Sequence, residues 1–282
     1  GALAATLGVV LPSFVIILVI AALIRNFLQY AGVQAFLSGV RPCVALEGGT
    51  QNITKGPAMP REAAERALTV GFSLARELAE DGYNLLAAGE MGIGNTTTTA
   101  AVTCALLDLS PQEAVGRGAG LSDAGLERKR RAVERALEVN RPDPGDPVDI
   151  LCKVGGLDIA AMAGFYLGCA AAQVPVILDG AISAAAALLA VRLCPNAEKA
   201  LLPSHWPSEP CGQALLAALG LEPVLYGNYH LGEGTGAVAL MPLLDMAQSV
   251  YRDMSTFGGM GIGAYRPDGE RVPAKVGPED TP

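Results

Sequence analysis

Beyond residue 47, segments with helical periodicity alternate with short, continuously apolar runs. The segments with helical spacing cover 60–81, 95–107, 122–139, 157–172, 182–193, 212–219 and 236–254. The apolar runs, which predict extended chain or buried strands, are 84–88, 174–178, 200–202 and 223–226. Because apolar strands that alternate with helices form parallel sheets covered on both faces, this pattern predicts an α/β protein.

The first 46 residues differ from the rest in charge and hydropathy. Arg25 and Arg41 are their only charged residues, and residues 1–24 carry none. About 20 apolar residues in a helix cross a bilayer core, so residues 1–24 favour a membrane-spanning or membrane-inserted helix. A buried helix of a soluble protein is the alternative. A secretory signal is disfavoured, since a basic n-region is missing and the run continues into Arg25.

The overall composition narrows the class of protein. Hydrophobic residues make up 51% of the 282 residues and charged residues 17%, which excludes a disordered chain. Aromatic residues are only 5% and glycines number 34, so the core is expected to consist of small side chains packed closely. The net charge of −8 repels phosphate backbones, and the sequence therefore predicts no nucleic-acid partner.

Loop 89–102, GEMGIGNTTTTAAV, lies between a predicted strand and a predicted helix. Its glycines let the backbone approach a ligand, and Glu90 is a carboxylate held at the turn. Ligands of α/β proteins bind at the carboxyl ends of the strands, where this loop lies. An ordinary glycine-rich turn with a helix cap is the alternative. The candidate ligand-binding residues are Glu90, Gly92, Gly94, Asn95 and Thr96.

A second glycine loop, residues 115–120, precedes a helix that Ser122 is predicted to cap. A helix N-terminus carries about half a positive charge and free N–H donors, which suits a phosphate. Lys129, two turns into the helix, could fold back onto the same anion. The alternative is that the run ERKRR is a solvated charged face. A Walker loop is excluded because the Gly-Lys-Ser/Thr ending is missing.

Two further loops carry polar side chains. Loop 202–213 holds a serine and a histidine side by side, Ser204 and His205, but a serine hydrolase is disfavoured because the nucleophile elbow is missing. In loop 228–239, Glu233 lies between glycines directly before the predicted last helix, whose dipole stabilises its anion. Glu233 is therefore either a capping carboxylate or a general base exposed in a crevice.

The histidines and cysteines favour neither a metal site nor a disulfide framework. The two histidines are 25 positions apart, and the six cysteines form no C-x-x-C pair. We expect free thiols in a reducing compartment, and no metal or other cofactor.

Ordered blocks from about residue 47 to 258 carry a family resemblance. They include GTQNITKGPAM, GEMGIGNTT, VGRGAGLSDAGLERK, VGGLDIAAMAGF, VPVILDGAISAAA and LGEGTGAVALMPLL. With these blocks the chain resembles the nicotinate-nucleotide–dimethylbenzimidazole phosphoribosyltransferases. The resemblance implies a Rossmann-like three-layer α/β/α fold, a cytoplasmic homodimer, and small-molecule substrates. The implied reaction moves phosphoribose from nicotinate mononucleotide to 5,6-dimethylbenzimidazole, which gives alpha-ribazole 5′-phosphate and nicotinate for the lower ligand of cobalamin.

The resemblance also implies residue roles. Glu233 is the general base that takes the azole proton, and loop 90–96 with Ser208 holds the nucleotide. The implied phosphate ligands are Gly118, Ala119, Gly120 and Lys129. The chemistry agrees with these roles, because glycosyl transfer through an oxocarbenium-like state needs negative charge nearby, and Glu90 and Glu233 supply it.

The resemblance does not extend to residues 1–46, whose blocks ATLGVVLPSF and VQAFLSGVRP resemble a chromate transporter segment. We therefore expect an apolar, membrane-like segment at 1–46 that stands apart from the catalytic fold. Residues 47–282 would form a phosphoribosyltransferase domain without the family's N-terminal portion, with weak azole binding and slow transfer. Trp206 and Pro207, and His230, stand where the family usually has arginine-containing blocks. The alternatives are a fragment of a chromate or anion transporter in the membrane, and a nucleotide-binding protein without turnover.

Overall fold

The computed structural model describes residues 49–261 except 91, 93, 119, 230, 231 and 257. Its helices are α1 (Arg61–Glu80), α2 (Asn95–Leu107), α3 (Pro111–Ala114), α4 (Asp123–Asn140), α5 (Pro147–Val154), α6 (Leu157–Ala172), α7 (Ala181–Leu193), α8 (Pro210–Leu219) and α9 (Thr235–Asp253). A 3-10 helix covers Pro195–Ala200, and the strands are β1 (Leu86–Ala88), β2 (Val176–Leu178) and β3 (Leu201–Pro203). The predicted helices, and the three predicted runs that form strands, are confirmed to within two residues at each end.

The three strands form one parallel sheet in the order β1-β2-β3, with β2 in the centre. Leu86 is paired with Val176, and Leu178 with Pro203. Ile177 packs against Leu240 of α9, while its neighbours along the strand point to the opposite face. This arrangement is the parallel α/β sheet that the sequence predicts. The fourth apolar run contributes only an isolated bridge between Leu225 and His205.

Small residues let α1 and α6 approach backbone to backbone. A Cβ atom built on Gly71 of α1 would lie 1.8 Å from the carbonyl oxygen of Ala161, and one on Gly164 of α6 would lie 1.9 Å from that of Leu68. No side chain fits in that space. The predicted core of closely packed small residues is therefore confirmed.

Local capping explains where two helices begin. The Ser122 hydroxyl accepts a hydrogen bond from the Gly125 N–H at 3.3 Å, as predicted for the start of α4. The Asp146 carboxylate accepts from Val148 N–H at 2.9 Å and caps α5, which the sequence analysis did not predict. The signal was present, since an Asp before a Pro is a common helix start.

The predictions for residues 1–46, including the apolar helix in 1–24 and its separation from the catalytic fold, lie outside the described residues. Among the helices of the described ranges, none is both long and apolar enough to cross a membrane.

Candidate active site

The loop that follows β1 and the loop that precedes α9 lie against each other at the carboxyl edge of the sheet. The N–H of Glu90 donates a hydrogen bond to the carbonyl oxygen of Gly232 at 2.8 Å. A Cβ atom built on Gly89 would lie 2.6 Å from the backbone carbonyl carbon of Glu233, so this approach requires glycine. The two glutamates that the sequence analysis singled out are therefore neighbours, although they lie far apart in the sequence.

A single amide bridges two carboxylates at the start of α2. Asn95 is buried, and its Nδ2 donates to the carboxylate of Glu90 and, at 3.0 Å, to Oδ2 of Asp158. Asp158 lies in the first turn of α6. Asp158 was not predicted from the sequence, because an acidic residue in a first helical turn is ordinary and nothing local distinguishes it.

The charge state of Glu90 follows from its surroundings. Burial raises the pKa of Glu90 to about 7, and the charges of three nearby carboxylates add to this while the hydrogen bond from Asn95 opposes it. Glu90 therefore titrates near neutral pH. Glu233, by contrast, is exposed just before Gly234, the N-cap of α9, where a ligand could reach it. We refer to four side chains together as the carboxylate cluster: Glu90, Asp158, Asp179 and Glu233.

Asp179 follows β2 directly and is only 3% exposed. Its Oδ2 accepts a hydrogen bond from the N–H of Gly234 at 3.2 Å, and its Oδ1 accepts from Ala237 at 3.0 Å. Asp179 was likewise not among the site residues predicted from the sequence. Its position immediately after a continuously apolar strand is the signal that could have found it, because ligand sites of α/β proteins lie at strand ends.

Ser204 and His205 are both buried and lie next to Asp179. The Nδ1 atom of His205 is 2.9 Å from Oγ of Ser204, and burial lowers the pKa of this histidine. The Ser204 hydroxyl is buried and also bonds the main-chain oxygen of Asp179 at 3.1 Å. A buried hydroxyl cannot reach a substrate, which agrees with the disfavoured hydrolase interpretation.

Thr96, the residue after Asn95 on α2, contacts a different group. Its Oγ1 accepts a hydrogen bond from Nζ of Lys129 at 2.9 Å, and the same Nζ donates to the carbonyl oxygen of Gly116 at 3.0 Å. Lys129 is 7% exposed, and burial lowers its pKa. The solvated-face interpretation of ERKRR is therefore wrong for this lysine, which α4 directs inward.

The glycine loop before α4 already has an anionic neighbour. The N–H of Gly118 donates to Oε1 of Glu209 at 2.7 Å. A Cβ atom built on Gly118 would lie 3.5 Å from Nζ of Lys129, so two of the implied phosphate ligands are close together. Gly120 is exposed with φ of +102°, a left-handed conformation that favours glycine. Ala119 lies outside the described residues.

The remaining predicted ligand-binding residues are Gly92, Gly94 and Ser208. Gly92 and Gly94 are exposed beside Asn95, and a Cβ atom on Gly92 would lie 2.8 Å from Nδ2 of that residue. Ser208 is exposed, and its hydroxyl donates to the carbonyl oxygen of Tyr229 at 2.8 Å, which ties the loop before α8 to the loop before α9.

Loops from all three strand ends thus meet at one edge of the sheet. Within the described ranges, no group of three or more His, Cys, Asp or Glu side chains is arranged to hold a metal ion. Fold and site together define an α/β protein with a parallel sheet, whose candidate ligand site has carboxylates on one side of the α2 N-terminus and a lysine with a glycine loop on the other.

The chain belongs to the DBI_PRT phosphoribosyltransferase family, whose family model matches residues 19–262. That match begins before residue 47 and so includes residues 19–46, which the sequence blocks had assigned to a chromate transporter segment and not to this family. The boundary between residues 46 and 47 stays a prediction.

Curated relatives and solved structures agree with this family. A nicotinate-nucleotide–dimethylbenzimidazole phosphoribosyltransferase of Acetivibrio thermocellus is 50% identical over 219 residues, covering 78% of this chain and 62% of the relative. A protein of the same name from Clostridium acetobutylicum is 40% identical and covers 88% of this chain and 76% of the relative. The crystal structure of CobT from Thermus thermophilus is 42% identical, with a TM-score of 0.73 over 88% of this chain and 80% of that one. The chain spans about 62% of the length of the Acetivibrio and Ruminiclostridium relatives.

Proposed function

We propose that the chain transfers the phosphoribosyl group of nicotinate mononucleotide to 5,6-dimethylbenzimidazole and releases nicotinate. The observation that carries this proposal is the pair of adjacent residues at the start of α2. Asn95 bonds the carboxylates of Glu90 and Asp158, while Thr96 bonds Lys129. A nucleotide needs both surroundings, since it has a phosphate to be held and a sugar carbon on which positive charge develops. The names of the relatives supply the two substrates.

In the proposed reaction the bond between C1′ of the ribose and the pyridine nitrogen breaks, and its electron pair returns to the nicotinate ring. A nitrogen of the azole forms the new bond to C1′. The azole then gives up its N–H proton to Glu233. The exposure of Glu233 at the start of α9 supports this role, because a general base must reach the proton it takes.

The carboxylates near the sugar have a second task. An oxocarbenium-like transition state carries positive charge, so negative charge placed close by lowers the barrier. Glu90 and Asp158 are held by a shared donor on Asn95, which fixes their positions before the substrate arrives. The proposed nucleotide contacts in this part of the site are Glu90, Gly92, Gly94, Asn95, Thr96 and Ser208.

The phosphate is assigned to the backbone of residues 118–120 and to Lys129. The lysine has three N–H donors, two of which bond Thr96 and Gly116 among the described residues, so a third can serve a phosphate oxygen. Binding energy from the phosphate, which does not react, can hold the sugar in position for attack. The Glu209 carboxylate already accepts the hydrogen bond of the Gly118 N–H. The phosphate must therefore share this N–H donor with Glu209 or displace the Glu209 carboxylate from it.

We further propose a cytoplasmic homodimer for residues 47–282 that acts on small molecules without a cofactor. The cysteines of the described residues are free, which suits a reducing compartment. Membrane association through residues 1–24 is a separate proposal. Sedimentation velocity with and without detergent tests both proposals. A monomeric mass would contradict the homodimer. A sedimenting mass that is the same with and without detergent would contradict membrane association.

The decisive experiment incubates the chain with nicotinate mononucleotide and 5,6-dimethylbenzimidazole and follows both products by liquid chromatography and mass spectrometry. We expect nicotinate and alpha-ribazole 5′-phosphate in equal amounts, formed only when the azole is present. The longer Acetivibrio relative, assayed side by side, shows that the conditions support transfer. Binding of nicotinate mononucleotide without any product would overturn the proposal in favour of a nucleotide-binding protein without turnover.

A further inference from the structure

The last helix begins without a cap of its own. Its N-cap residue is Gly234, which has φ of +84° and no side chain to accept a hydrogen bond from the first turn. The first amides of any helix lack acceptors within the helix, so they need a partner from elsewhere. Among the described residues that partner is Asp179, whose two carboxylate oxygens accept from Gly234 and Ala237 at 3.2 and 3.0 Å.

Asp179 is itself held firmly. It directly follows the central strand β2 and is 3% exposed, and its main-chain oxygen is bonded by the hydroxyl of Ser204. The first turn of α9 also packs closely against Asp179 and His205. A Cβ atom built on Gly236 would lie 1.9 Å from Nδ1 of His205 and 3.0 Å from Oδ1 of Asp179, so the helix has no room to shift toward the sheet.

Glu233 is the residue immediately before Gly234, so its backbone is fixed by whatever fixes Gly234. On its other side, Glu233 and Gly234 touch the backbone of Gly89. The position of the exposed Glu233 carboxylate therefore depends on three supports among the described residues: the hydrogen bond from Glu90 N–H to the carbonyl oxygen of Gly232, the close contact with Gly89, and the hydrogen bonds to Asp179. Of these three, only the hydrogen bonds to Asp179 depend on a side chain.

We propose that Asp179 is a positioning residue that clamps the N-terminus of α9 to the central strand and so sets the place from which Glu233 takes the azole proton. This inference rests on the proposed function, in which Glu233 is the base. Asp179 acts through the backbone of Gly234 and Ala237, so its loss should impair proton transfer and leave the proposed phosphate contacts, at residues 118–120 and Lys129, intact.

The first test compares Asp179→Ala and Asp179→Asn with the unchanged chain at a temperature where all three are folded. We expect Asp179→Ala to lower kcat about 10- to 100-fold with little change in the Kd of nicotinate mononucleotide, since a displacement of about 1 Å can cost 10²-fold. Asp179→Asn should lose less, because its amide oxygen can still accept one of the two hydrogen bonds. An unchanged kcat in Asp179→Ala overturns the proposal.

A matched control separates positioning from the general loss of a helix cap. Asp146 also satisfies the start of a helix with its carboxylate, since its Oδ1 accepts from the N–H groups of Val148 and Asp149 in α5 at 2.9 and 3.2 Å. Asp146→Ala should reduce thermal stability, and kcat should stay within about 2-fold of the unchanged chain. If Asp146→Ala lowers kcat as much as Asp179→Ala does, the effect is one of stability, and the positioning role is contradicted.

The decisive readout is a double-mutant cycle with Glu233→Gln. If Asp179 acts through Glu233, the double variant Asp179→Ala, Glu233→Gln should be no more than about 3-fold slower than Glu233→Gln alone. Losses that multiply would contradict the proposal. If Asp179→Ala does not fold, Asp179→Asn carries the same cycle, and wild-type kcat in that variant overturns the inference.

The acidity of the azole offers an independent readout. An azole that gives up its proton more readily depends less on a base, so the loss caused by Asp179→Ala should shrink with a nitro-substituted benzimidazole. A loss that stays the same for both azoles counts against positioning. Failure of the proposed function looks different, because the unchanged chain would then form no product at all. Failure of the base role alone would leave Glu233→Gln with the kcat of the unchanged chain, whatever happens at Asp179.

Discussion

The two sides of the α2 N-terminus handle charge in opposite ways. On one side, Glu90 lies close enough to three other carboxylates for their charges to raise its pKa, and the amide of Asn95 is the side-chain donor that joins it to Asp158. On the other side, the buried Lys129 has a carboxylate within electrostatic reach, since the charge of Glu209 raises its pKa and opposes the effect of burial.

This difference in charge indicates which part of a substrate each side of the α2 N-terminus is suited to bind. Gathering carboxylates in a half-buried loop costs stability, because burial and like charges both disfavour the ionised form. Such a cost is typical of sites where positive charge develops during a reaction. A lysine balanced by a glutamate suits an anion that arrives already charged. We infer that Glu90, Asp158 and Glu233 serve the sugar and the azole, and that the lysine side serves the phosphate.

The largest expected effect is at Glu233. Replacing Glu233 by Gln removes the proton acceptor and keeps the size of the side chain, so kcat should fall about 10²- to 10⁴-fold while the Kd of nicotinate mononucleotide changes little. Steady-state kinetics together with calorimetric titration measure both quantities. The matched control is Glu134→Gln on the exposed face of α4, which should keep full kcat. Retained activity in Glu233→Gln would remove Glu233 from the mechanism.

The next effect tests the lysine side. Lys129→Ala should weaken binding of nicotinate mononucleotide by about 1.5–3 kcal/mol, roughly 10- to 150-fold, because a charge-assisted hydrogen bond to the phosphate is lost. Binding of free nicotinate, which has no phosphate, should stay the same. Lys199→Ala is the control, since that lysine is exposed and its Nζ bonds only Asn196 among the described residues. Equal affinities in Lys129→Ala and the unchanged chain would refute the phosphate role.

A third prediction concerns pH and the cost of the carboxylate cluster. The pKa of Glu90 is raised from 4.5 to about 7 in the folded chain. Between these values the folded state binds more protons than the unfolded state, so the contribution of Glu90 to stability falls as pH rises through this window. Above pH 7 the full cost is present, and below about pH 4.5 it vanishes.

Glu90→Gln, which cannot ionise, should therefore raise Tm relative to the unchanged chain at pH 8 and give a much smaller difference at pH 5. Scanning calorimetry at the two pH values measures this. Glu134→Gln should shift Tm equally little at both. A Tm difference for Glu90→Gln that is the same at pH 5 and pH 8 would show that Glu90 is ionised in the folded chain at both.

The fold could be predicted because its signals are local. The apolar run at 174–178 and the cap at Ser122 each depend on a few neighbouring residues, and β2 and α4 were confirmed to within two residues. The burial of Lys129 could also have been predicted. Lys129 lies four residues from both Gly125 and Val133, on the buried stripe of α4. The alternative of a solvated face considered the charges of ERKRR and not their helical phase.

The site could be predicted only in part. Glu90 stood out because a glutamate in a glycine-rich loop has no evident folding role, and Glu233 because it lies between glycines directly before a helix. Asp158 and Asp179 acquire their roles from contacts with α2 and α9, which lie far away in the sequence. Periodicity and capping rules carry no information about such contacts. The same holds for the hydrogen bond between Gly118 and Glu209, which joins residues 91 positions apart.

That hydrogen bond leads to the smallest expected effect. The carboxylate of Glu209 lies at the amide of Gly118, where the proposed phosphate would bind, so the two anions repel or compete. Glu209→Gln removes the charge and keeps an oxygen that can accept from Gly118. Nicotinate mononucleotide should then bind about 3- to 10-fold tighter, on the order of 1 kcal/mol, and nicotinate equally well. Glu222→Gln, at an exposed position after α8, is the control and should change neither affinity. Weaker nucleotide binding in Glu209→Gln would mean instead that this carboxylate orders the glycine loop for the phosphate.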